Sequence, residues 1–191
     1  MKTLSAVAAL LLLTGCQATF WAQPPSSQWG CDSAVQGRWY SEINYPEEGE
    51  SEQVSINIDA SCQVVGRQLV GGAIVLTSEP TSVRMARHQG WNYAWLDANA
   101  LLAFDGNGYR TPAGDVMVFR YRVEGDQLQV WNINHLHVRS LINSGAVAGG
   151  FDDDEFNEFN RITGPVAPAL LGAPELFAGQ ATVLTRAGGQ P

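Results

Sequence analysis

The sequence predicts an all-β domain over residues 31–164, an antiparallel barrel or sandwich. Three observations carry that prediction: period-two alternation of apolar and polar residues, tight-turn chemistry between the alternating runs, and no long helical period to interrupt them. In Gln53–Asp59, Val54, Ile56 and Ile58 alternate with Ser55 and Asn57, and Asp59-Ala60-Ser61 supplies a turn into Cys62–Gly66. Asp105-Gly106-Asn107-Gly108 marks a second reversal, between Leu101–Phe104 and Tyr109-Arg110. The clearest strand is Val116–Glu124, where Met117, Phe119, Tyr121 and Val123 form a core face and Val118, Arg120, Arg122 and Glu124 a largely solvated one. Glu124-Gly125-Asp126-Gln127 turns that strand into the next, Leu128–Asn134. Phe156–Ile162 reads as a closing strand, and Gln180–Arg186 as one more short strand or as irregular chain.

The first sixteen residues follow a different logic. Lys2 precedes an apolar run that ends at Leu13-Thr14-Gly15-Cys16, which resembles a bacterial lipoprotein signal. The run is too short to span a bilayer, which takes about 20 apolar residues. The resemblance implies cleavage after Gly15, a diacylglyceryl group on the Cys16 sulfur and acylation, typically by palmitate, of the freed amine. Two or more acyl chains anchor a protein stably. Gln17 rather than Asp follows the cysteine, which in a Gram-negative envelope implies the outer membrane, with the domain facing the periplasm.

Charge narrows the partners. The 191-residue chain has a net charge of −8, and its single lysine, Lys2, lies in the signal, which leaves ten arginines against nineteen acidic residues. Nucleic acid and anionic membrane surfaces both require basic patches, so neither is an expected partner. With Cys16 assigned to lipid, Cys31 and Cys62 remain as a pair in an oxidising compartment and are expected to form a disulfide.

The domain map is therefore a signal peptide at 1–15, a lipidated cysteine and flexible tether at 16–30, a β-rich domain at 31–164 and a Pro/Gly/Ala-rich tail at 165–191. The tether is rich in Gln, Pro and Ser, as a spacer should be. Phe20-Trp21 is the exception within it, read as packing on the domain or at the lipid interface.

At Gly37-Arg38-Trp39-Tyr40 the chain resembles the Gly-X-Trp start of the first strand in lipocalins and lipocalin-like bacterial domains. That resemblance implies an up-and-down barrel of about eight strands with one open end, Trp39 plugging the closed end beneath an arginine from the last strand. Arg161, in Phe159-Asn160-Arg161-Ile162, is the arginine that this layout nominates. A β-sandwich is the alternative fold.

Chemistry-bearing residues are sparse. Trp91, Tyr93 and Trp95 share one face of a strand and are the candidate lining of an apolar ligand cavity, or ordinary core. His135 and His137 share one face of another strand and are weak metal candidates that need a third ligand, from His88 or from Asp152-Asp153-Asp154. The acidic run Asp152–Glu155 lacks the pattern of an EF-hand and reads as a solvated loop. No nucleophile elbow, phosphate-binding glycine loop or His-Glu-X-X-His motif is present, so neither an enzyme nor a resident cofactor is expected. The expected function is a lipid-anchored envelope protein that holds a small hydrophobic or amphipathic molecule. The alternative is an accessory lipoprotein that acts through contacts with an envelope protein partner.

Overall fold

The computed structural model describes residues 17–45, 50–104, 108–153, 157–165 and 168–188. The residues of the expected lipid signal through Cys16, Asp105–Asn107 of the second reversal, and Asp154, Glu155 and Phe156 lie outside the described residues. In chain order the elements are β1 (Gln17–Trp21), a 3-10 turn at Ser33–Val35, β2 (Gly37–Tyr45), β3 (Glu50–Ile58), β4 (Gln63–Val70), β5 (Ala73–Thr77), β6 (Thr81–Ser82), β7 (Arg84–His88) and β8 (Trp91–Asp97). There follow α1 (Ala98–Phe104), β9 (Val116–Glu124), β10 (Gln127–Trp131), α2 (His135–Asn143), β11 (Gly149–Asp153), β12 (Glu158–Ile162), α3 (Pro168–Gly172), a 3-10 turn at Pro174–Phe177 and β13 (Thr182–Arg186).

Over the described residues the architecture is predominantly β, built on one mixed sheet of 13 strands. Its long path runs β11-β12-β1-β9-β10-β13-β2-β3-β4-β5, with β6 on β4, and with β8 joining β7 to β9. This order differs from the expected antiparallel up-and-down barrel, because β1 pairs parallel with β12 and antiparallel with β9 at Trp21–Val116. A strand from the start of the chain has inserted itself into the sheet. The segment expected to be a tether therefore begins as a strand. Ala18 and Phe20 pack in one cluster with Phe159, and Trp21 packs in another with Trp95 and Ile162, so burial on both faces outweighs the spacer composition around them.

The tail expected at 165–191 is, over its described residues, likewise part of the body. Leu171, Leu176 and Phe177 are buried against β8 and β9, and β13 pairs with both β10 and β2. Covering that side of the sheet changes the character of β9. Val118 and Arg120, on the face expected to be solvated, are buried together with Met117, Phe119 and Tyr121 on the other face.

Two segments expected as strands are helical. Ala98–Phe104 is rich in Ala and Leu, both strong helix formers, and Asp97 accepts a hydrogen bond from the Ala100 N–H at 2.9 Å to cap its start. Asn134 caps α2 in the same way, accepting from the His137 N–H at 3.1 Å. Elsewhere local chemistry sets the turns: Asp59 accepts from the backbone N–H of Ser61 and of Gln63, which fixes the β3–β4 hairpin. Cys31 and Cys62 form a disulfide that ties the chain ahead of β2 to the start of β4.

Candidate functional site

The strand alternation of β8 and β9 sorts their side chains onto two faces with different neighbours. Ala94 lies opposite Phe119 and Leu96 opposite Met117, while Tyr93 lies opposite Arg120 and Trp95 opposite Val118. Of the first set, Ala94, Leu96 and Phe119 face an interior cavity of about 140 Å³. Its wall is contributed by most of the sheet and by α1, with Ile56, Leu96, Phe119, Leu128 and Leu184 from strands and Phe104 from the helix. Gly66 of β4 is required for that arrangement, because a Cβ there would lie 2.9 Å from the Phe104 ring.

Polar groups in the wall are few and already engaged. The Ser78 hydroxyl accepts from the Gly66 N–H at 2.9 Å, and the Tyr121 hydroxyl donates to an Asp32 carboxylate oxygen at 2.9 Å. Burial, reinforced by that hydrogen bond to Asp32, pushes the Tyr121 phenol well above its ordinary value, so it stays protonated and donating. An apolar pocket of this scale can take apolar guests.

At one end of the strands Trp39 is fully buried, and its indole N–H donates to the Val35 carbonyl at 2.7 Å. The arginine over it is Arg186, not Arg161. The Arg186 guanidinium carbon lies 4.1 Å from the Trp39 ring centroid. Its nitrogens donate to the carbonyls of Gln36 at 2.6 Å and Ala34 at 2.8 Å. Gly37 makes the close approach feasible: its φ is 111°, and a Cβ would meet Arg186 Nη1 at 3.1 Å. Arg161 instead makes a two-point ion pair with Asp115, Nε to Oδ2 at 2.6 Å and Nη2 to Oδ1 at 2.8 Å.

The aromatic stripe Trp91, Tyr93 and Trp95 does not line the interior cavity. It faces the opposite side, under the folded-back tail, with the Tyr93 hydroxyl donating to the Leu171 carbonyl at 2.8 Å. Beside it Arg120, 8% exposed, places its guanidinium carbon 4.2 Å from the Trp91 ring and 5.2 Å from both the Trp131 and Phe177 rings. Desolvation lowers the affinity of Arg120 for its proton; the cation is met by the surrounding ring faces and by the Phe177 carbonyl, which accepts from Nη2 at 3.3 Å.

His135 and His137 are two residues apart on α2, not on a strand, so they point to different sides of the helix. His135 is buried, with Nδ1 3.2 Å from the Ala18 carbonyl and 3.0 Å from the Asn160 amide nitrogen. Among the described residues no group of three or more His, Cys, Asp or Glu is placed to hold a metal ion. Asp152 accepts from the Tyr109 hydroxyl and Asp153 pairs with Arg139, which accounts for the described part of the acidic run.

The residues that sequence reasoning missed are Arg186, Leu101 and Phe104 of α1, and the Ala94/Leu96 face of β8. Arg186 carried a usable signal, since the lipocalin pattern asks for an arginine on the last strand and Thr182–Arg186 is that strand. No family model, curated protein or solved structure matches the chain.

Proposed function

We propose that this chain is a lipid-anchored envelope protein whose lipocalin-like barrel holds a small hydrophobic or amphipathic molecule. The observation that carries the reading is the interior apolar cavity of about 140 Å³ walled by strands from across the sheet. Three further features support it. Trp39 lies beneath an arginine from the last strand, as the resemblance implies. That last strand, β13, pairs antiparallel with β2, the strand that carries Trp39. The flanks of the sheet also approach each other where β6 pairs with β4 and the Val83 N–H donates to the Cys62 carbonyl at 2.9 Å, immediately before β7. The Leu13-Thr14-Gly15-Cys16 run supports the anchor.

Nuclear magnetic resonance titration of the purified protein with toluene and with octanoate tests the ligand reading. Saturable shifts at Leu96, Phe119 and Leu128 are expected, and Ala94→Phe, which fills the cavity, should remove them. Absence of saturable shifts in the parent protein would overturn the reading.

A second reading, an accessory protein that acts on a partner, is favoured by one feature. β5 lies at the end of the sheet path and exposes Ile74 by 59% and Val75 by 55%, the kind of edge that pairs with another chain. Crosslinking from position 74 in intact cells tests it. A single crosslinked protein that disappears with Ile74→Lys supports the reading, and an unlinked chain counts against it.

A further inference from the structure

β1, β12 and β11 bring three residues into one row where the described chain begins. Gln17 lies opposite Glu158, and Glu158 lies opposite Asp153. The Gln17 amide donates to a Glu158 carboxylate oxygen at 3.0 Å. Arg139 of α2 reaches the same row, pairing with Asp153 and lying 3.7 Å from Glu158. Its guanidinium carbon also sits 4.5 Å from the Phe151 ring centroid. Phe151 and Asp153 are two apart on β11, so they share the face that meets Arg139.

Leu136 stands one turn before Arg139 on the same side of α2, whereas His135 and Val138 turn inward. Leu136 is 65% exposed and Phe151 41%, so two large apolar side chains flank Arg139 in solvent. Scattered exposed apolar residues are ordinary on a protein surface. These two are joined through Arg139 and Glu158 to Gln17, and the sixteen residues ahead of Gln17 end in the run Leu13-Thr14-Gly15-Cys16. Charge then selects the surface that the face would meet. Arg139 is one cation beside two half-exposed carboxylates, Asp153 and Glu158, a balance that repels an anionic surface. A zwitterionic headgroup fits it, because its ammonium group can meet the carboxylates while the acyl boundary takes the apolar side chains.

We propose that the face formed by Leu136, Arg139 and Phe151 docks on a zwitterionic lipid bilayer, with Leu136 and Phe151 entering the boundary between headgroups and acyl chains. The proposal rests on the lipid-anchor reading above, since an acyl chain on Cys16 would deliver this face to the bilayer.

The test uses the acylated protein in vesicles of phosphatidylethanolamine and phosphatidylcholine, with a nitroxide attached at Leu136→Cys, Phe151→Cys or Asp126→Cys in turn. With Cys16 acylated and Cys31 bonded to Cys62, the introduced cysteine carries the one free thiol. Asp126 follows β9 and is the reference, because β1 meets β9 at its other end, Val116. The expected result is loss of collision with a water-soluble nickel chelate, and gain of collision with oxygen, at 136 and 151 but not at 126. Adding phosphatidylglycerol should reduce both effects. A position 136 as open to the chelate as position 126, or contact strengthened by phosphatidylglycerol, would overturn the proposal. So would spin–spin broadening at 136 without oxygen contact, which would place a second copy on this face instead. The mass of the purified protein reads the anchor separately. An unacylated Cys16 would overturn the anchor reading and the docking face with it, whereas an acylated protein with position 136 in water overturns the docking face alone.

Discussion

The guanidinium of Arg186 is stacked 4.1 Å above the ring of Trp39, so the last strand of the fold caps a buried indole on β2. Contacts of this kind contribute about 0.5–2 kcal/mol as cation–π attraction, and hydrogen bonds from a charged donor add to that. Arg186→Ala should therefore lower unfolding stability by about 2–3 kcal/mol in urea titrations. Arg186→Lys should recover only part, because it lacks the planar fork that reaches both the Gln36 and Ala34 carbonyls. The near-ultraviolet dichroism of Trp39 should change in both variants and remain unaltered in Arg161→Ala.

Arg161→Ala should be destabilising for a different reason. Asp115 is 1% exposed, and removing its partner leaves a buried carboxylate without its ion pair. The expected loss is about 3 kcal/mol, at the low end for a broken buried pair because Arg161 itself is one-third exposed. The double variant Asp115→Asn, Arg161→Met should recover much of it. A double variant no more stable than Arg161→Ala would count against burial of Asp115 as the cause.

Acid should weaken the fold through His135. Burial disfavours its charged form and holds its pKa below the ordinary value of 6.5, with Arg139 acting in the same direction and the Ala18 carbonyl, Glu158 and Asp153 opposing. The unfolded chain thus binds a proton that the folded chain refuses. The contribution is complete above about pH 6.5, and declines as pH falls from there through the depressed folded value. His135→Gln should flatten the dependence of unfolding free energy on pH between about 5 and 7, and an unchanged slope would refute this assignment.

The disulfide should be a major stabiliser. Cys31 and Cys62 are 31 residues apart, and closing a loop of that length is worth about 3–4 kcal/mol on the chain-entropy account. The double variant Cys31→Ser, Cys62→Ser should lose that amount by chemical denaturation. Adding a reductant should shift the parent protein but not the variant.

What could be read from the sequence was local. The β3–β4 and β9–β10 hairpins lie where Asp59-Ala60-Ser61 and Gly125-Asp126 place turns, because turn chemistry acts over a few residues. The cysteine pair followed from compartment and counting. The failures were long-range. Arg120 looked solvated from its place in an alternating strand, and only the return of Leu176 and Phe177 from some 50 residues later buries it. The Trp91, Tyr93 and Trp95 stripe was found correctly as a shared face, but which side of the sheet that face occupies depends on the same return. Phe20-Trp21 already argued against a pure spacer, although strand partners such as Phe159 and Val116 are far away in the chain.

The position of β1 has a mechanical consequence. β1 starts at Gln17, the residue directly after Cys16, and the Ala18 carbonyl is held by His135 at the start of α2. Were Cys16 lipidated as proposed, no spacer would separate the lipid from the sheet, and the first strand would itself be held at the bilayer. The protein could neither reach across the envelope nor tumble freely, and the N-terminal end of α2, where Leu136 is solvent-exposed, would be held beside the lipid headgroups.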